Sequence, residues 1–287
     1  MKSYVIGASG FLGSHVATRL GKGGVVQRAP AYDDVDPAKW QEDVLEDMRR
    51  FAPDVVLIPG ASQAMGDDAR AIHALIASNC ALPCLVAHQL LEHFPESKLV
   101  VFGTSWQFAD SDNFRPFNLY AASKQAGQDL LAHYALRGLK ILQLIMFDTY
   151  GEDDTRRKLL KILQDACARD EEIGTTPGEQ EIDLVHIDDV CAGIESAIHD
   201  IEYWDTSQGI LVRGLGSGKP IRVKELISRV GKRAGKELRA NIGERPYRPR
   251  EVMQAYRNYR RPTGWVPKRI EFQDSSDPED RDGNLTD

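Results

Sequence analysis

Cysteine is scarce in this chain of 287 residues: four occur, and none of their spacings matches a zinc site. Cys80 and Cys84 stand four apart in an apolar run, which predicts buried thiols of a reducing compartment rather than a disulfide framework or a metal centre. Long apolar stretches are missing too, since no uninterrupted run approaches the ~18–20 residues needed to cross a bilayer. The first apolar run begins at the third or fourth residue and leaves no space for a secretory leader. These absences predict a cytoplasmic protein without membrane contact or metal. A surface of one charge sign is also lacking. The net charge of −7 is concentrated in residues 273–287, where six acids accompany one arginine, and the remainder is near −2. Nucleic acid is therefore not an expected partner. Internal repeats are absent.

What is present is an alternation. SYVIGA (3–8), VVQRA (25–29), PDVVLIPG (53–60), KLVVFGT (98–104) and LKILQLIMFD (139–148) read as strands rich in Val, Ile and Leu. Between them FLGSHVATRL (11–20), residues 37–51, residues 74–93 and YAASKQAGQDLLAHYALRG (120–138) read as helices. Strand–helix alternation with apolar strands predicts an α/β fold: a doubly wound, Rossmann-type parallel sheet covered on both faces. It occupies residues 1–150. After that a polar helix over about 154–170 and shorter segments rich in Arg, Pro and aromatics predict a smaller C-terminal substrate domain over 151–272. That domain is partly interleaved, because LVHIDDV (184–190) and GILVRG (209–214) read as strands and return residues 183–215 to the sheet. Residues 273–287 read as a disordered acidic tail.

GASGFLG (7–13) follows the first strand and opens a helix. Gly7 permits the tight turn, Gly10 lets a pyrophosphate approach the backbone, and Gly13 lets helix pack on strand; the helix N-terminus supplies N–H donors. A dinucleotide site is expected there. An acid at the end of the second strand would take the ribose hydroxyls of NAD, but Gln27 and Arg28 stand in that place. Arg28 could pair with a 2′-phosphate, so NADP(H) is favoured over NAD(H), with Asp33 or Asp34 as the alternative ribose ligand.

Tyr120 and Lys124 stand one helical turn apart and so share a face. A phenol titrating near 10 is a poor general acid at neutral pH; a neighbouring ammonium and an oxidised nicotinamide would pull that value down. Lys124 could also hold the nicotinamide ribose. Thr104 and Ser105 end a strand at the carboxyl edge of the sheet, where such sheets bind ligands, and either hydroxyl could orient a substrate carbonyl.

GASGFLG, the strand ending in GTS, YAASK and LVHIDDV, in this order and spacing, resemble the extended short-chain dehydrogenase/reductase family, the NAD-dependent epimerase/dehydratase superfamily, over roughly residues 1–270. The resemblance implies an NAD(P)-dependent oxidoreductase acting on nucleotide sugars, with Tyr120 as catalytic acid/base and Lys124 as its partner. It aligns Asn79 with a structural active-site Asn. It selects Thr104 over Ser105, because QFA (107–109) takes the place of the family's VYG. Ser9, Phe11 and Leu12 in the glycine loop and Ala61 after the third strand complete the implied cofactor contacts, and a homodimer is implied.

Within the family, dehydratases carry an Asp-Glu pair after the hydroxyl; here Ser105-Trp106 follows, so dehydration is disfavoured. GTSWQ, NLYAASKQA and FDTYG…DTRRKLL also resemble the CDP-abequose/CDP-paratose synthase branch of 4-ketoreductases. The expectation is NADPH-dependent reduction of a 4-keto group on a nucleotide-diphosphate-linked sugar. The alternatives are a 4-epimerase with retained NAD and a non-catalytic nucleotide-binding regulator. Asp148 aligns with the family's phosphate-contacting Asn, so the diphosphate needs other cations. Arg156, Arg157, Lys158, Arg248 and Arg250 are the candidates, while Asp148, Ser105 and Trp106 are expected to meet the sugar or base. His186 is read as structural.

Overall fold

The computed structural model describes residues 1–32, 36–64, 66–270 and 272. The first half of the chain runs β1 (Lys2–Val5), α1 (Phe11–Gly21), β2 (Val25–Arg28), α2 (Pro37–Phe51), β3 (Val55–Ile58), α3 (Ala69–Ile76), α4 (Leu82–His93), β4 (Lys98–Thr104), α5 (Leu119–Ala135) and β5 (Ile141–Met146). The second half runs β6 (Asp148–Tyr150), α6 (Leu159–Arg169), β7 (Ile173–Thr175), β8 (Glu181–Ile182), β9 (Leu184–His186), α7 (Ile187–Glu202), β10 (Leu211–Gly214), β11 (Ile221–Arg222), α8 (Val223–Arg233) and β12 (Ala240–Ile242).

Six strands form one parallel sheet in the order β10-β5-β4-β3-β1-β2. Alternate strand residues feed two cores. Val5, Leu57, Val100 and Leu144 pack with Val16 and Leu20 of α1 and Ile194 and Ile198 of α7. Tyr4, Ile6, Val56, Leu99 and Ile141 pack on the other face with Val44, Val86, Leu90 and Leu131 of α2, α4 and α5. Both faces are covered, which is why the strands carry no polar alternation. The chain passes from β2 at one edge back across β1 to β3, so the strand order reverses between β1 and β3. The crevice above such a reversal is where doubly wound sheets bind ligands.

A third core joins Leu160 and Leu163 of α6 to Leu226, Ile227 and Val230 of α8. It belongs to the C-terminal part of the chain. Of the segment expected to return to the sheet, α7 covers one face and β10 pairs with β5, but β9, among the described residues, pairs with β6 outside the main sheet.

Several boundaries differ from expectation. LVHIDDV is a strand only to His186, whose imidazole accepts the Asp188 N–H and caps α7; Ile187, Val190, Cys191 and Ile194 then follow helical spacing. The helix expected from 154 starts at Leu159, because Arg156 is drawn onto the Asp154 carboxylate and the Thr149 carbonyl. The helix expected from 74 starts at Ala69, after the Asp68 cap. Through a π-helical turn at Ala77–Ala81 it continues unbroken to His93. By length and composition this helix is apolar enough to cross a bilayer, a property the search for uninterrupted runs missed. Its C-terminal part is built into the sheet's second core through Leu82, Val86 and Leu90. Asp33, Asp34 and the tail 273–287 lie outside the described residues.

Candidate active site

The loop from Gly7 to Gly13 sits at the reversal point. Gly7 has φ +88°, and a Cβ on it would lie 2.6 Å from the Gly60 Cα. Both its conformation and this close approach exclude a side chain. A Cβ at Gly13 would lie 2.1 Å from the Gly7 carbonyl oxygen, so α1 packs directly on the turn. Gly10 differs: a Cβ there would meet only that oxygen, at 3.8 Å, and its open side is a cleft of about 950 Å³. Gly10 is also the N-cap of α1 without a side-chain cap, which leaves first-turn N–H groups without intrahelical acceptors. Ser9, Phe11, Leu12 and Ala61 line the same cleft.

Tyr120, Lys124 and Thr104 converge on its middle. The Asn118 side chain accepts the Ala121 N–H at 2.9 Å and starts α5 there, so Tyr120 lies in the first turn and Lys124 one turn later. The Lys124 ammonium stands 5.9 Å from the Tyr120 ring centroid. Burial pushes the phenol up to about 12 and the ammonium down to about 8, the latter opposed slightly by Cys80. Desolvation disfavours the charged form of each. Between the protein's own groups burial decides, since the ammonium lies over the ring; the pull expected on the phenol is that of the ammonium and an oxidised nicotinamide together. Thr104 ends β4. Its hydroxyl accepts the Trp106 N–H at 3.3 Å, and its own N–H donates to Gln107 Oε1 at 2.9 Å. The O–H of Thr104 remains available as a donor.

At the far end, Ser105, Trp106, Asp148, Arg156, Arg157, Lys158 and Arg248 line the cleft. Trp106 meets Phe117 edge-on at 5.2 Å. Most of the cations already have anions. Arg156 binds Asp154 through two nitrogens and stacks 4.2 Å from the Phe11 ring centroid. Lys158 stands 3.8 Å from Asp148, and Arg248 3.2 Å from Glu251. Among the described residues, Arg157 and Lys124 are the cleft-lining cations for which no hydrogen bond or ion pair to the protein is found, and of the two only Arg157 lies at this far end.

Three expected site residues lie off the cleft wall. Arg28 pairs in register with Val5 at the exposed end of β2, near the glycine loop. Arg250 donates to the Pro116 carbonyl at 2.6 Å instead of facing a ligand. Asn79 is buried behind α5, where its amide nitrogen donates to Ser123 Oγ at 2.9 Å and to the Ser62 carbonyl at 3.2 Å. With Lys124 it borders a separate cavity of about 20 Å³, room for a single water. His186 is buried, caps α7 and lies 3.1 Å from Arg269, a structural position.

The profile of the NAD dependent epimerase/dehydratase family matches residues 3–205. The chain belongs to this family. It is an NAD(P)-dependent enzyme of the oxidoreductase type. Among curated relatives, CDP-abequose synthase of Yersinia pseudotuberculosis is 25% identical over 223 residues, covering 76% of this chain and 75% of the relative. Protein CapI of Staphylococcus aureus is 25% identical over 304 residues, covering 90% of each. Among solved structures, MoeE5 in complex with UDP-glucuronic acid and NAD superposes with a TM-score of 0.78 at 19% identity, over 95% of this chain and 96% of that one. UDP-glucose 4-epimerase of Thermotoga maritima with UDP-glucose gives 0.77 at 20% identity, over the same shares. These structures share the doubly wound fold. The loop fits this family's pyridine nucleotide: it is closed behind Gly7 and Gly13 and open in front of Gly10.

The sequence reading missed part of the wall. Gln180–Asp183 and Gln254–Tyr256 line the cleft, brought there because Glu181 N–H donates to the Met253 carbonyl and Asp110 accepts the N–H groups of Met253 and Gln254. No local signal announces these long-range contacts. Gln107 was legible: Thr-x-x-Gln is a capping-box pattern.

Proposed function

We propose that the protein uses NADPH to reduce the 4-keto group of a nucleotide-diphosphate-linked deoxysugar. The observation that carries this reading is the convergence of Tyr120, Lys124 and Thr104 on one cleft that begins at the glycine loop. No carboxylate follows Thr104, so the groups that would eliminate water are missing at that strand end. The likeness to CDP-abequose synthase supports a deoxysugar substrate and makes a CDP-linked sugar the first to test.

A bound nicotinamide supplies the hydride. Gly7, Gly10 and Gly13 would let the backbone approach its pyrophosphate, and Lys124 would donate to the nicotinamide ribose. Thr104 donates its O–H to the substrate carbonyl and orients it. Tyr120 delivers its phenolic proton to the carbonyl oxygen, and desolvation keeps that proton in place until transfer. Arg157 takes the diphosphate, Lys158 neutralises Asp148, and Ser105 and Trp106 border the sugar. Four free cysteines support a reducing, cytoplasmic location. Exposed Ile72 and Ile76 on α3 and Leu130 on the adjoining α5 support a homodimer.

Incubation with NADPH and a panel of CDP-, dTDP-, UDP- and GDP-4-keto-6-deoxysugars tests the reading, followed by loss of reduced-cofactor absorbance. Oxidation by none of them overturns it. A 4-epimerase with retained NAD is the second reading, favoured by the position of Arg28 off the cleft wall; stoichiometric NAD in the purified protein would favour it over one-way reduction.

A further inference from the structure

Gln107 is fully buried, with a relative exposure of 0%, and both ends of its amide are bonded. Its Oε1 accepts the Thr104 N–H at 2.9 Å, and its Nε2 donates to Gln125 Oε1 at 2.8 Å. Gln125 in turn donates to the Asp129 carboxylate at 2.8 Å. The direction of this chain is fixed at both ends, because a backbone N–H can only donate and a carboxylate can only accept. Neither amide can flip without opposing two donors or two acceptors. The strand must leave room for it: a Cβ at Gly103 would lie 2.6 Å from Gln107 Oε1.

The chain of bonds has a defined span. It begins on the backbone of Thr104, at the end of β4, and lands on α5 next to Lys124 and five residues beyond Tyr120. These two elements carry the three groups that converge on the cleft, and Gln107 and Gln125 themselves stand outside its lining. A second amide pair, Gln143 to Gln128 at 2.6 Å, ties α5 to β5 further along.

We infer that Gln107 and Gln125 form a positioning strut that fixes the carbonyl-orienting hydroxyl of Thr104 relative to Tyr120. The inference rests on the reductase reading above. Buried amide bonds of defined direction hold geometry more tightly than apolar contacts do, and a displacement of about 1 Å at a reacting centre lowers rate by about 10²-fold.

The test is a set of steady-state measurements on the whole chain with the keto sugar that the panel identifies. Gln107→Met, close in volume, removes both bonds. It is expected to lower kcat by about 10- to 100-fold with KM for the sugar and affinity for NADPH within about three-fold. In a Thr104→Val background the same change is expected to lower kcat by less than about three-fold further, because a strut acts only through the group it holds. Should Gln107→Met fail to fold, Gln125→Met breaks the strut from its more exposed end and leaves the Thr104 cap intact; it is expected to lower kcat in the same way. Gln125→Glu combined with Asp129→Asn keeps an acceptor for Gln107 and a donor facing the new carboxylate, and is expected to retain kcat within about three-fold. Additive losses in the Thr104→Val background overturn the strut, as do equal losses for Gln125→Met and for Gln125→Glu combined with Asp129→Asn. Full activity of Tyr120→Phe would instead overturn the reductase chemistry itself, which keeps the two failures apart.

Discussion

Alanine at Gly10 and alanine at Gly13 should have different effects, although the two glycines belong to one loop. At Gly13 the new methyl would lie 2.1 Å from the Gly7 carbonyl oxygen and 2.9 Å from the Ala8 Cα. Both are backbone atoms, and the first distance is more than 1 Å short of ordinary contact, so the turn itself must move. Overpacking of this kind costs about 1–3 kcal/mol. In a chain of this size that is a fall in Tm of roughly 3–10 °C. At Gly10 the methyl would meet only the Gly7 oxygen, at an ordinary 3.8 Å. The backbone there has φ −74°, which alanine adopts without strain. Losing glycine's freedom in the unfolded chain favours the variant by about 0.4–1 kcal/mol, which offsets the roughly 0.5–1 kcal/mol lost when alanine replaces glycine as N-cap. Its stability should be unchanged within about 0.5 kcal/mol.

Cofactor binding should reverse the order of interest. The Gly10 methyl projects into the open side of the loop, where a pyrophosphate must approach the backbone. Gly10→Ala should therefore weaken NADPH by ten-fold or more, about 1.4 kcal/mol, in a protein of normal Tm. Gly13→Ala should lose stability and affinity together, because the same loop is displaced. Thermal unfolding with and without NADPH, and fluorescence titration of each variant, measure both quantities. Normal NADPH affinity in Gly10→Ala would refute the placement of the cofactor over this loop, and an unchanged Tm in Gly13→Ala would refute the packing.

Tyr120→Phe should abolish turnover and leave cofactor affinity within a few-fold, since general-acid help is worth ~10²–10⁴ in rate; Thr104→Val should lose less, and a far larger loss in Ser105→Ala would move the carbonyl contact one residue along. Arg28→Ala should weaken NADPH roughly ten-fold and leave NADH unchanged if its guanidinium reads the 2′-phosphate, a charge-assisted contact worth about 1.5–3 kcal/mol; equal use of both cofactors by the parent protein would overturn this. Arg157→Met should raise KM for the nucleotide sugar by about ten-fold, as loss of one charge-assisted contact does, with kcat unchanged, whereas Arg156→Met should act mainly on stability by freeing Asp154. NADPH affinity should fall as pH rises through about 8, where the buried Lys124 ammonium loses its charge, and Lys124→Met should bind weakly and flatten that profile; an affinity that first falls near 10 would show an unburied lysine.

Much of the sheet was legible because its signals are local. Apolar runs such as VVLI and ILQLIM are bounded by turn residues, and GASGFLG can be read within seven positions. Misreadings came where a contact distant in sequence decided the outcome. Arg250 looked like one more cation beside Arg248, but the fold carries it to the Pro116 carbonyl. Asn79, aligned with a structural Asn, lies off the cleft wall for the same kind of reason: packing against α5 turns its amide to Ser123. Arg156 and Lys158 do line the cleft, yet their charge is engaged by Asp154 and Asp148, pairings invisible to a count of charges. The LVHIDDV segment failed for a different reason. Its apolar residues fit a strand up to His186 and a helix after it, and only the cap made by His186 itself marks the change.

The two central titrating groups bear on the direction of the chemistry. One cause, removal from water, raises Tyr120 to about 12 and lowers Lys124 to about 8. For a phenol that must donate a proton to a ketone, the raised value is workable: the proton is present throughout the physiological range and leaves only as negative charge develops on the carbonyl oxygen. For a phenolate that must abstract a proton from an alcohol, the same value is a handicap, to be overcome by positive charge from a neighbour. Lys124 supplies part of that charge but is itself weakened by burial and lies over the ring at 5.9 Å. An epimerase must run both half-reactions on one tyrosine, whereas a ketoreductase needs only the first. An epimerase would draw the remaining positive charge from its oxidised nicotinamide; without one, burial holds Tyr120 protonated, the state that the proposed reduction requires.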